Sequence, residues 1–283
     1  LDRSHLAAPR PAMYYMFSGP DFLYANAFYP AATTYVLSAL EPVGNVPDLA
    51  KLSPGAVAAS LGSVERSIQT VLAFSFFITK MMKTDLHESV ASGVLPVLYV
   101  FLARSGHTIR EVSEVALDTD GAFVPPDVKP GRLAVHGVKI VFAGADGIAR
   151  TLYYFSTDLS NSGVAATGFL KFCATLAPAN SLIKSASYLM HSPNFSSVRD
   201  FLLKNSATII QDDSGIPIAN FDPRAWRLSP FGKYKGPIAE FPGRYQRRAA
   251  ELFDGAPAID FGIGYRWRPY ETNLLLAVKA PGQ

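Results

Sequence analysis

At 283 residues the chain is long enough to bury a sizeable core, as one large domain or two small ones. Its 49% hydrophobic and 17% charged content excludes intrinsic disorder, and a net charge of +3 with scattered Lys and Arg argues against nucleic-acid binding. The single cysteine, Cys173, excludes an intramolecular disulfide and any cysteine-cluster metal site.

Residues 1–11 read as a loose arm. The chain opens on Leu1 rather than Met, which fits a processed export signal or a trimmed tag. "AMYYMF" (12–17) is an unbroken apolar run, as a buried strand requires. "SGPD" (18–21) turns the chain into a short helix ending at Pro30, with Pro20 suited to its first turn. "TTYVLSAL" (33–40) is a β-branched second strand stopped by Glu41-Pro42.

A helical region follows, around 50–105. Leu61, Val64, Ile68, Val71, Leu72, Phe76, Ile78 and Met82 recur near the helical period. Its most apolar part, 70–82, falls short of the roughly 18 residues needed to span a bilayer. A second helix over 92–106 stops at Gly106. "TIREVSEVALD" (108–118) alternates like a half-exposed strand, and the Pro- and Gly-rich stretch 119–132 is a loop. Residues 134–159 read as two strands joined by a Gly-Ala-Asp-Gly turn.

From there helices and strands alternate: helix 163–179, strand 181–190, helix 192–206, strand 207–213 and helix 241–253. The chain closes over 260–279 as two strands around Arg268-Pro269. The expected fold is α/β: a mostly parallel Rossmann-like sheet, helices on both faces, and a C-terminal antiparallel hairpin. One domain would span 12–283, with the helical region inserted.

In open α/β sheets the ligand crevice lies beyond the carboxyl ends of the strands. Ser18, Asp21, Glu41, Asp158, Asn161, His191, Asp212 and Asp213 arrive there. Adjacent Asp212 and Asp213 can divide acid and base roles, bind a hard metal, or form an Asp-rich turn capped by Gly215. Lys184 and Tyr188, four apart on a strand, share a face; Lys184 is a tuned base or the partner of a carboxylate such as Asp212. His191 ends the same strand, and Asp158 is a site residue or a helix-capping acid. No histidine pair has metal-ligand spacing, so no histidine-held metal is expected. "WRLSPFGKYKGPI" (226–238) and "GYRWRPY" (264–270) can stack a sugar or protect a sheet edge.

The order of elements resembles the class I S-adenosylmethionine-dependent methyltransferases. Residues 14–41 look like that family's first strand, turn, helix and second strand, with an acid at the second strand's end. "RTLYYFSTDLSN" (150–161) is similar to its fourth strand, 169–189 to its helix, corner and fifth strand, and "NLLLAVKAP" (273–281) to its last. The first turn departs from the glycine-rich pattern, with Gly19 alone followed by Pro20. The chain as a whole also resembles a group of bacterial proteins that brings no activity with it.

The resemblance implies a cofactor, S-adenosylmethionine, held by Ser18, Gly19, Asp21 and Glu41, with Glu41 on the ribose hydroxyls. It also implies a small-molecule acceptor beside Asp158. Lys184, Tyr188 or His191 would position or deprotonate that acceptor. Two alternatives stand: an exported, cofactor-free protein binding glycan or peptide, and a hydrolase using Asp212 or Asp213 with His191.

Overall fold

The computed structural model describes residues 10–46, 51–74, 93–126 and 134–280. Most of the expected arm, the apolar stretch after Phe74 and residues 127–132 of the Pro-rich loop lie outside those residues.

Ten strands form one sheet: β1 (Ala12–Met16), β2 (Thr34–Ala39), β3 (Thr108–Leu117), β4 (Phe123–Val124), β5 (Val135–Ala143), β6 (Ala149–Ser156), β7 (Ala179–Ile183), β8 (Ser206–Gln211), β9 (Trp226–Gly232) and β10 (Asn273–Lys279). Their order is β4-β3-β5-β6-β2-β1-β7-β8-β10-β9. The helices are α1 (Phe22–Phe28), α2 (Pro54–Phe74), α3 (Leu95–Arg104), α4 (Asn161–Ala165), α5 (Phe169–Thr175), α6 (Ser196–Asn205) and α7 (Arg247–Leu252).

The sheet is mixed, which corrects the expectation of a mostly parallel one. Four of the nine pairings are parallel: β6 with β2, β2 with β1, β1 with β7, and β7 with β8. The other five are antiparallel. Hydrophobic alternation marks a strand but carries no direction; the connection decides it. The short turn between β5 and β6 forces an antiparallel pair, and β3 and β4 extend that wing. The C-terminal hairpin is also corrected. Residues 264–266 form a 3-10 turn, and β10 pairs instead with β9, far upstream in the chain. It runs antiparallel between β8 and β9.

The five parallel strands position the site. β1 is buried at every residue, as a central strand covered on both faces should be. Its side chains alternate between two cores. Met13 and Tyr15 join Tyr35 and Leu37 under α1 and α3, while Tyr14 and Met16 join Val36 under α5 and α6. Phe22 of α1 is fully buried and meets Tyr35 edge-on at 5.2 Å. Burying such a ring stabilises the fold by about 1.5–3 kcal/mol. The buried tyrosines keep partners for their hydroxyls. Tyr14 donates to the Cys173 carbonyl at 2.6 Å, and Tyr154 of β6 to the Glu41 carbonyl at 2.8 Å, fixing the exit of β2.

α1 begins at Phe22, two residues after the proline expected in its first turn. Asp21 is the N-cap, its Oδ1 accepting from the Tyr24 backbone N–H at 3.3 Å, so Pro20 lies outside the helix. Among the described residues, no helix is long and apolar enough to cross a membrane.

Candidate functional site

An open cavity of about 130 Å³ sits beyond the carboxyl ends of β6, β2, β1 and β7. The sheet order reverses about β1, so this is the switch point where ligands of parallel sheets bind. Each strand delivers its next residues to the wall: Thr157 and Asp158 after β6, Leu40 and Glu41 after β2, Phe17 to Gly19 after β1, and Lys184 after β7. Ala186, Leu189 and Phe195 close the β7 side.

The bend after β1 is unusual in its backbone. Phe17 and Gly19 both have positive φ, 64° and 55°. A bulky residue held there stores strain, a pattern that concentrates at functional sites. The Ser18 backbone N–H donates to the Ser38 carbonyl at 3.1 Å, and its hydroxyl donates to the Gly19 carbonyl at 2.8 Å.

Beneath this bend lies a buried ion pair. Lys184 Nζ meets Asp21 Oδ2 at 3.0 Å, and each side chain is 4% exposed. Tyr15 donates its hydroxyl to the same Oδ2 at 2.9 Å, and the ammonium lies 4.4 Å from the Tyr24 ring centroid. Lys184 therefore makes its close ion pair with Asp21, and its charge also acts on Asp212. Burial and the adjacent carboxylate push the Tyr15 phenol well above its usual range.

The structure divides the expected site residues into two groups. Ser18, Gly19, Glu41, Asp158 and Lys184 line the cavity, and Asp21 anchors Lys184 from behind. Tyr188, His191, Asp212 and Asp213 form a separate polar cluster past the ends of β7 and β8. The strand expected over 181–190 ends at Ile183, so Lys184 and Tyr188 do not share a strand face. The chain turns into a 3-10 helix, where Ser187 and Tyr188 take left-handed φ values of 58° and 51°.

In that cluster the two carboxylates diverge. Asp212 Oδ1 accepts from the Ser214 backbone N–H at 3.1 Å and from its hydroxyl, and Gly215 closes the turn. Its Oδ2 is buried with no hydrogen-bond partner among the described residues. Asp213 accepts from Tyr188 at 2.9 Å and from the Asn273 amide at 3.1 Å. Burial, then the neighbouring Asp213 charge, pushes the Asp212 carboxyl up to about 7, and burial raises Asp213 as well. Burial lowers His191 to about 4; the neutral ring packs edge-on to Tyr188, and its Nε2 lies 3.1 Å from the Asp213 carbonyl.

Asp158 has local partners: its carboxylate accepts from the Ser160 backbone N–H and hydroxyl, both at 2.8 Å, and Ser160 caps α4. Asn161 lies away from the cavity wall, bonded to Ser196 and Pro193. Of the two aromatic and basic segments, the first supplies the edge strand β9, whereas Tyr265 of the second stacks on Tyr188 at 5.4 Å. Trp226 is buried under Lys279, and Arg266 donates to the Gly236 and Pro237 carbonyls. Among the described residues, no three His, Cys, Asp or Glu converge as a metal site.

Sequence reasoning missed Phe17, Leu40 and Thr157, although each directly follows a strand and the crevice rule covers them. It also missed Phe195, Leu189 and Asn273, which reach their places through tertiary contacts without a local signal. No protein-family model, curated protein or solved structure matches the chain.

Proposed function

We propose that the protein is a methyltransferase-like enzyme that holds S-adenosylmethionine in this cavity and transfers its methyl group to a small molecule. The supporting observation is the place of the cavity: it spans the ends of four strands at the sheet's switch point, with buried Glu41 at the end of β2. Four strand ends spaced about 4.8 Å apart make a trough roughly 14 Å long, which suits an extended nucleoside. Glu41 accepts hydrogen bonds from the ribose hydroxyls, and the Phe17–Gly19 bend brings backbone against the ligand.

Two roles change with the observed strand order. The resemblance makes β6 the fourth strand, but it lies on the far side of β2 from β1. Asp158 then belongs to the cofactor end of the trough, and the acceptor enters from the β7 side. Lys184 is held by Asp21 and Tyr188 by Asp213, so both position the site rather than deprotonate the acceptor. Catalysis rests on holding the acceptor in line with the methyl sulfonium.

The hydrolase alternative has weaker support, because Asp213 is engaged by Tyr188 and Asn273 and both aspartates are buried away from the cavity wall. Calorimetric titration with S-adenosylmethionine and S-adenosylhomocysteine tests the proposal. Saturable binding is expected, weakened about tenfold or more, or about 1.4 kcal/mol, in Glu41→Ala. Absence of heat at protein concentrations that report a micromolar dissociation constant rejects it.

A further inference from the structure

The two ends of the cavity differ in chemistry. Its described carboxylates, Glu41 and Asp158, follow β2 and β6. An apolar part of the lining is Phe17, Ala186, Leu189 and Phe195, with the Phe17 and Phe195 rings edge-to-face at 5.6 Å. Among the described lining residues the one cation is Lys184. Its ammonium already lies against Asp21 Oδ2 and the Tyr24 ring, and its side chain is 4% exposed.

We infer that the β7 end selects a neutral, aromatic acceptor and rejects anionic ones. This deepens the methyltransferase reading and rests on it for the word acceptor. An anion entering there meets an apolar wall, and the charge of the nearest cation is already offset by a buried carboxylate. Burying an unpaired charge costs far more than burying a neutral ring of equal size. A neutral ring instead gains apolar contact and edge-to-face packing against Phe17 and Phe195. Carboxylated and phosphorylated acceptors are therefore excluded by the same wall that admits an uncharged phenol.

The test uses a matched pair of probes, 2-naphthol and 6-hydroxy-2-naphthoate, titrated near neutral pH with and without S-adenosylhomocysteine. The neutral probe is expected to bind about tenfold tighter or better. Phe195→Ala should weaken it. Leu189→Arg, which adds a cation to the apolar wall, should reverse the preference, with thermal melting of both variants checking that they fold. Equal or tighter binding of the carboxylate by the native chain overturns the inference, as does failure of 2-naphthol to bind at millimolar concentration. An unchanged preference in Leu189→Arg with native-like melting also overturns it. If 2-naphthol binds selectively while neither adenosyl compound binds, the selectivity of the cavity stands and the methyl-transfer reading falls.

Discussion

Asp212 sets charge against burial. Its Oδ2 lies against Gly264, where a side chain's Cβ would overlap the carboxylate, and Gly264 has φ +73°. Tyr15, Lys184, Asp213, Tyr188 and Tyr265 contribute to the surrounding field, and Lys184 supplies the one opposing charge among them. The folded carboxyl titrates near 7 against 3.8 for the free group. The folded state therefore binds more protons between those values. The contribution of Asp212 is fully present below about 4 and is lost as pH rises through 7. His191 works in the opposite sense: lowered from 6.5 to about 4, it favours the fold above 6.5 and loses that contribution as pH falls. The two slopes partly cancel in the native chain, so the difference between variants is the clean observable. Asp212→Asn should gain stability relative to the native chain as pH rises from 4 to 7, by at most about 1.4 kcal/mol per pH unit. Urea denaturation across that range measures it, and a difference independent of pH would mean that the carboxyl is ionised throughout.

Between elements, the Asp21–Lys184 pair joins the start of α1 to the exit of β7 directly under the cavity. Asp21→Asn keeps the helix cap and a hydrogen-bond acceptor but removes the carboxylate charge against the buried ammonium, and should cost about 3 kcal/mol. Asp21→Asn with Lys184→Met removes both charges and should recover to within about 1 kcal/mol of the native chain. If the double variant is as unstable as the single one, packing rather than charge holds the contact; denaturation midpoints decide this. The same pair shows what the sequence could carry. Asp21 was legible as a residue beyond the first strand, because that follows from local pattern alone, whereas the same kind of pattern places Lys184 inside a strand over 181–190 that in fact ends at Ile183. Their partnership was not legible, since it depends on β7 lying beside β1 and on the strand ending at Ile183. The apolar runs of β1 and β2 and the turn between β5 and β6 were legible for the same local reason. The antiparallel insertion of β10 was hidden, because nothing local tells Leu274–Leu276 that its partner on one side is β9, far upstream.

At the scale of the whole molecule, the described lining of the cavity comes from the parallel block and the loops that leave it. None of the described residues that line it comes from β3, β4, β5, β9 or β10, so the two antiparallel wings frame the site without touching a ligand. A ligand that binds only the folded chain adds stability by mass action. At a hundredfold excess over its dissociation constant the gain is about 2.7 kcal/mol. At roughly 2 °C per kcal/mol for a chain of this size, that raises the melting temperature by about 5 °C. S-adenosylmethionine should produce this shift in the native chain and a clearly smaller one in Glu41→Ala at the same concentration. Hydrogen exchange then locates the effect. Amides that exchange by local opening at 17–19, 40–41, 157–159 and 184–189 should gain protection, whereas those of β3 and β4 should not. Protection confined to the wings would place the ligand elsewhere and separate the melting shift from the cavity.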